Sequence, residues 1–251
     1  MGLKRRLRSI GIEPSAALLK AILVNSAQPP LGTQELRAIG EGVGLAAGKH
    51  AANILGHGVA DSQRATSCDE HRVILYYQGT VESNKITYFD IPVPADLENS
   101  QPGKKRLTVT VVYQPDVQRW GLEQYLGTLL KWRMFRGDVS RDDVVAAMSR
   151  PDDDESEQPD LPNEMPFGPS TYQQRSRGTV QHAWFEWSNH RATYSANHYT
   201  LAITAYERWG RSTPDPVPFA VVVRLEEESQ TTEVYTAVQQ ALIELQVRSR
   251  V

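Results

Sequence analysis

A single cysteine, Cys68, stands in 251 residues, so no disulfide can form within the chain. That excludes a disulfide scaffold and a metal site built on several thiolates, and fits a reducing compartment. No run approaches the ~18 consecutive apolar residues of a membrane-spanning helix. Neither sign of charge dominates: 27 Lys and Arg face 30 Asp and Glu, for a net charge of −3. A near-neutral chain is a poor partner for nucleic acid, which needs a clustered basic face. What is present is a hydrophobic share of 40%, enough to exclude wholesale disorder and to build one large domain or two small ones.

The net charge conceals two blocks. Residues 1–12 carry Lys4, Arg5, Arg6 and Arg8 and no acid. Residues 151–164 carry Asp152, Asp153, Asp154, Glu155, Glu157, Asp160 and Glu164 and no base. Without these two blocks the body has a net charge of zero. The basic start reads as a solvated tail. It is a poor signal peptide, because Glu13, Pro14 and Lys20 interrupt the apolar stretch such a leader needs. The expectation is a cytoplasmic protein without membrane or nucleic-acid contacts.

Residues 15–27 form the strongest helical pattern near the start, with Ser15 as cap and Pro29-Pro30 as stop. Ala16, Leu18, Leu19, Ala21, Ile22, Leu23 and Val24 run nearly all round it, which predicts burial on several sides. Nothing else in the first 60 residues is apolar enough to cover it. Residues 31–60 hold seven glycines and read as loop with one short helix near Ala46–Asn53. Beyond about residue 70 the pattern becomes alternating. Strands are expected at Arg72–Tyr77, Lys85–Ile91, Leu107–Tyr113, Leu126–Phe135, Thr179–Trp187, Tyr199–Tyr206 and Phe219–Leu225. In the third, Leu107, Val109, Val111 and Tyr113 share a face opposite Thr108 and Thr110. Seven such runs without regular intervening helices predict a mainly β chain with some α, an antiparallel sandwich or jelly roll. The acidic, proline-rich stretch 150–170 reads as a mobile insertion. A closing helix is expected at Thr231–Leu245, with Val234, Val238, Ala241 and Leu242 on one face.

Motifs for chemistry are weak. Gly42–Ala47 matches a relaxed dinucleotide fingerprint but lacks the strand that must precede it. Gly48-Lys49-His50 fails as a phosphate loop, since Val43 stands where the first glycine belongs and His50 replaces the magnesium-binding hydroxyl. His182, His190 and His198 show no zinc spacing. Trp184, Phe185, Trp187, Tyr194 and Tyr199 could form a ligand platform, although period-2 spacing fits sandwich core better. Asp69 and Glu70 next to Cys68 disfavour a reactive thiolate. No catalytic, cofactor-binding or metal-binding residue is assigned.

Five segments do carry a family pattern. Leu18-Leu19-Lys20-Ala21-Ile22-Leu23-Val24-Asn25-Ser26-Ala27 resembles the late helix of subtilisin-like serine peptidases, which follows the helix bearing the nucleophile. Gly56-His57-Gly58-Val59-Ala60-Asp61, followed by Arg64-Ala65, is similar to the turn that closes that peptidase domain. Phe89–Pro94, Arg106–Val111 and Arg177–His182 resemble the β-rich C-terminal extension of a cytoplasmic bacterial subgroup. The family's Asp, His and Gly-Thr-Ser blocks are absent: the Gly-Thr pairs here are followed by Gln34, Val81, Leu129 and Val180. Without nucleophile, base and oxyanion donor there is no acyl transfer to perform, so no catalytic residue carries over. The resemblance implies residues 1–70 as the end of a subtilase α/β domain and residues 71–251 as a β-sandwich extension. It implies a non-catalytic segment that completes or assists a triad-bearing part, with an AAA-type ATPase as a further partner. The alternative is a free-standing β-sandwich that binds protein or peptide through the Trp184–Tyr199 aromatics.

Overall fold

The computed structural model describes residues 2–28, 57–65, 67–93, 105–118, 125–137, 139–148, 164, 165, 167, 178–187, 198–212, 214–227 and 233–239. Seven strands fall where the alternating pattern places them: β1 (Arg72–Val81), β2 (Ile86–Pro92), β3 (Lys105–Tyr113), β4 (Thr128–Arg136), β5 (Val180–Trp187), β6 (His198–Glu207) and β7 (Val217–Glu227). Their β-branched and aromatic side chains suit a pleated surface. They make two antiparallel sheets, ordered β1-β7-β3-β5 and β2-β6-β4.

The pairing is that of one long hairpin rolled up. The first strand pairs with the last, β1 with β7. Inside that come β2 with β6 and β3 with β5. At the tip, Phe135 of β4 bridges Glu164, and Met165 N donates to Met134 O at 2.9 Å. Successive strands alternate between the sheets, which is the jelly-roll solution to closing a two-layer core. Leu107, Val109, Val111 and Tyr113 of β3 face Leu130, Trp132 and Met134 of β4 within that core. Gln181 of β5 joins the layers by donating to Leu130 O at 2.7 Å. The run Ala220–Val223 in β7 is apolar on both sides because β7 is a central strand, buried on its core face and covered on the other.

Helices cover the outside of each sheet. Helix α1 (Leu3–Ser9) and α2 (Ala16–Ser26) belong to a cluster with Val112, Ala220 and Val222 on the outer face of the larger sheet. Ser15 Oγ caps α2 by accepting from Leu18 N at 3.1 Å. Helix α3 (Arg141–Met148) places Val144, Ala147 and Met148 over Phe135 and Ala202 of the smaller sheet.

Four expectations change. Helix α2 is buried along one stripe, Ala17, Leu18, Ala21, Ile22, Asn25 and Ser26, while Leu23 is 44% exposed. The surface that covers it comes from beyond the first 60 residues, from this chain's own four-stranded sheet, because β3 and β7 present small apolar residues there. The basic start is a helix and not a tail, since Leu7 docks on the same face while Lys4, Arg5, Arg6 and Arg8 stay exposed. The stretch 150–170 is anchored at its end, where Met165 and Phe167 enter the sandwich core and the Phe167 ring stands 5.2 Å from Trp132, edge to face. The closing helix, by contrast, is found over the described part of its expected range: residues 234–239 are helical with Val234 and Val238 in the core, while Ala241 and Leu242 lie outside the described residues.

Candidate functional site

The outer face of the four-stranded sheet grades from apolar to charged, and strand register sets the gradient. Gln78, Ala220, Val112 and Val180 stand abreast at one end. Next come Tyr76, Val222, Thr110 and His182, then Ile74, Arg224, Thr108 and Trp184. The last row is Arg72, Glu226, Arg106 and Glu186, with charge alternating across four strands. Opposite charges side by side on neighbouring strands attract. Arg106 pairs with Glu186 in this row.

Helix α2 lies over the apolar end. The Ser15 backbone N–H donates to Gln78 Oε1 at 2.8 Å, and the Gln78 amide donates back to Glu13 O at 2.8 Å. Near its other end Asn25 reaches into the sheet. Its Nδ2 donates to Thr110 Oγ1 at 3.0 Å and to Val222 O at 3.2 Å.

The charged end is closed by residues 57–65. This segment is tied to the end of α2 by the bridge of Gln28 to Val59, with backbone bonds of 2.9 and 3.0 Å. Asp61 Oδ1 accepts from the N–H groups of Gln63 and Arg64 at 2.8 and 3.1 Å, forming an Asx turn. Those bonds hold its carboxyl below the usual range. The turn aims Arg64 at the sheet, where Nη2 binds Glu226 Oε2. The Gln28 side-chain oxygen, in the amide orientation that satisfies both ends, accepts from Arg64 Nη1 at 2.6 Å and Nε at 2.8 Å.

Two histidines meet beside this turn. His57 and His182 pack edge to face at 5.2 Å, and Trp184 adjoins His182 at 5.9 Å. His182 Nδ1 lies 2.7 Å from Thr110 Oγ1. That hydroxyl already accepts from Asn25, so its proton is free to point at Nδ1, which fits a neutral ring protonated on Nε2. Burial, with His57, Arg224 and Arg106 nearby, pushes the His182 pKa down to about 3. It is a neutral imidazole at any ordinary pH.

Arg224 is the unusual member. Its side chain is 3% exposed, and its one ionic contact among the described residues is Nη2 at 3.5 Å from Glu226 Oε1. Glu226 is already engaged by Arg64. Nε and Nη1 of Arg224 are buried with no hydrogen-bond partner among the described residues. Burial, opposed by Glu226, lowers the Arg224 pKa to about 10, so it stays cationic at neutral pH. Thr108 Oγ1, on the residue paired with Arg224, and Arg72 Nε are likewise buried and unpartnered.

The residues singled out from sequence scatter. Phe185, Trp187 and Tyr199 are core, so the expected Trp184–Tyr199 recognition face does not form from them. Period 2 puts Trp184 on the outer face, between His182 and Glu186. Cys68 is exposed. His198 begins β6, in the other sheet from His182 of β5. Gly42–Ala47, Gly48-Lys49-His50, His190 and Tyr194 lie outside the described residues. Among the described residues, no three His, Cys, Asp or Glu side chains converge as metal ligands, and no helix is long and apolar enough to cross a membrane. Sequence reasoning passed over the arginines. One signal was legible: Arg224 interrupts the run Phe219–Leu225, where a solvated charge has no place.

No family model matches the chain. An uncharacterized protein of Sinorhizobium fredii (strain NBRC 101917 / NGR234), y4bN, is 26% identical over 221 residues, covering 86% of this chain and 48% of that protein. The chain thus spans about half the length of the curated relative it matches.

Proposed function

We propose that this chain is the non-catalytic C-terminal portion of a longer subtilisin-like serine peptidase, supplying contacts to a triad-bearing part in the cytoplasm. The observation that carries this reading is where the family-like residues sit. Asn25, in the helix motif, and Arg64, in the turn motif, are the side chains that fasten those segments to the sheet through Thr110, Val222 and Glu226. Family-like features outside the sandwich are therefore the seams of this fold, not loose remnants. The relative of about twice the length supports a larger whole. On this reading the nucleophile, its base and the oxyanion donors come from elsewhere. The jelly roll contributes a rigid platform, and an AAA-type ATPase is a further partner.

The test is a chromogenic peptide assay and labelling by a serine-directed phosphonate. The chain alone should neither turn over nor label, whereas a form joined to the residues encoded upstream should do both. Turnover and labelling by the purified chain alone would sink the proposal. The second reading, a free-standing protein- or peptide-binding module, draws support from one feature: α2 is covered by the chain's own sheet, so no large apolar helix face calls for a missing half. An extended form that neither labels nor cleaves would favour it.

A further inference from the structure

We propose that β1 is a self-association edge, pairing antiparallel with β1 of a second copy of this chain about a two-fold axis at Tyr77. This goes beyond the peptidase reading and does not depend on it. β1 is an outermost strand of the four-stranded sheet. The Glu227 N–H donates to His71 O at 3.0 Å, which sets the phase of the β1–β7 ladder. Odd residues of β1 bond to β7, and even residues point their N–H and C=O groups away from it. Those of Arg72 are taken by Asp69, at 3.1 and 3.0 Å. The N–H and C=O groups of Ile74, Tyr76, Gln78 and Thr80 have no partner among the described residues.

Native sheets protect such an edge with charge, proline or a bulge. The edge strand beside it, β2, carries Asp90 and ends at Pro92; its Phe89 ring lies 4.9 Å from Tyr77. β1 has none of these devices. No charged residue or proline stands from Val73 to Val81, and the register with β7 runs without a bulge. Tyr76 and Tyr77, on opposite faces of the strand, are 39% and 45% exposed.

Symmetry points to a second copy. The four residues with outward groups are disposed evenly about Tyr77. A two-fold axis there pairs Ile74 with Thr80 and Tyr76 with Gln78, and satisfies every outward group of that stretch in both strands. Sliding the register by two sets one of the four against Arg72, whose groups Asp69 already holds, or against Glu82, beyond the strand's end. The same axis brings the Asp69–Arg72 pair of one copy beside the Glu82–Lys85 pair of the other, with Arg72 facing the opposite charge of Glu82. Tyr77 meets its own counterpart in a non-hydrogen-bonded position, where facing side chains stand closest.

The test is sedimentation velocity of the intact chain across a dilution series, and a reversible monomer–dimer equilibrium is expected. Thr80→Pro removes an outward N–H and no bond to β7, so circular dichroism and Tm should hold. Dimerisation should weaken by about tenfold or more, because the axis counts the lost bond twice. Tyr77→Cys, made together with Cys68→Ser so that one thiol remains, tests the register and decides the matter if the proline variant misfolds. Facing Cα atoms of a non-hydrogen-bonded pair stand about 4.5 Å apart, within disulfide reach, so mild oxidation should give a covalent dimer. A dimer unchanged by Thr80→Pro, or no cross-link in the cysteine variant, overturns the proposal. So does a chain that is monomeric at every concentration, which would leave the edge to a strand from another protein.

Discussion

Asn25 and Thr110, 85 positions apart in sequence, are joined by a 3.0 Å hydrogen bond from the Asn25 amide to the Thr110 hydroxyl. Thr110 passes the connection on to His182 Nδ1 at 2.7 Å, and His57 covers His182 from the other side. Helix, sheet and turn thus meet along one polar line that is buried at Asn25 and Thr110 and opens towards solvent at His57. Each member has few alternatives, because a buried polar group without its partner costs more than the bond itself contributes.

Asn25→Leu tests the anchor at nearly constant volume. It removes the donations to Thr110 and to the Val222 carbonyl together. A loss of about 2–3 kcal/mol is expected in urea unfolding. An unchanged midpoint would show that apolar contacts alone seat α2.

His182 gives the fold an acid sensitivity. Its folded pKa is pushed down to about 3 from an ordinary 6.5. Between those values the unfolded chain takes up a proton that the folded chain refuses. Stability from this group is therefore complete above pH 6.5 and falls as pH drops towards 3, at no more than about 1.4 kcal/mol per unit. His182→Gln should flatten the dependence of the urea midpoint between pH 6.5 and 4.5. A slope identical to wild type there would rule the ring out as its source.

Glu226 and Arg224 should respond in opposite directions. Glu226→Gln strips the charge facing both Arg64 and Arg224, and removing one partner of a buried pair costs about 3–5 kcal/mol. Arg224→Met replaces an under-compensated buried cation with a side chain of similar length. It should be neutral or raise Tm. Strong destabilisation by Arg224→Met would mean that the guanidinium is better satisfied than its contacts indicate.

Phe167 should behave as a core residue despite following the most acidic stretch of the chain. It is 7% exposed and packs on Trp132 and Phe185. Phe167→Ala is expected to cost about 3–5 kcal/mol. A change of only a few tenths in urea unfolding would place the ring outside the cooperative core.

All seven strands could be read from sequence, most of them because a strand's two faces fall on alternate positions and β7 because a run of β-branched residues marks a strand buried on both faces. Leu107, Val109, Val111 and Tyr113 show this without ambiguity. Met165 and Phe167 escaped the same reasoning: two apolar residues after a run of acids form no period, and only Phe135 and Met134 make them a strand's edge. The polar face escaped for a different reason. Arg64, Arg72, Arg106 and Arg224 are each ordinary in their own segments.

Alternation, turn residues and the scarcity of cysteine by themselves determined a mainly β, antiparallel chain and the boundaries of its strands to within a few residues. These are local properties, since each follows from neighbours one or two positions apart. The tertiary structure alone decided what covers α2, which stretch of the acidic segment enters the core, and that Arg72, Glu226, Arg106 and Glu186 stand in one row. Those depend on which strands become neighbours when the long hairpin rolls up. Register between residues more than a hundred positions apart leaves no periodic mark in the chain, and it is register that gathers four unremarkable arginines at one end of a sheet face.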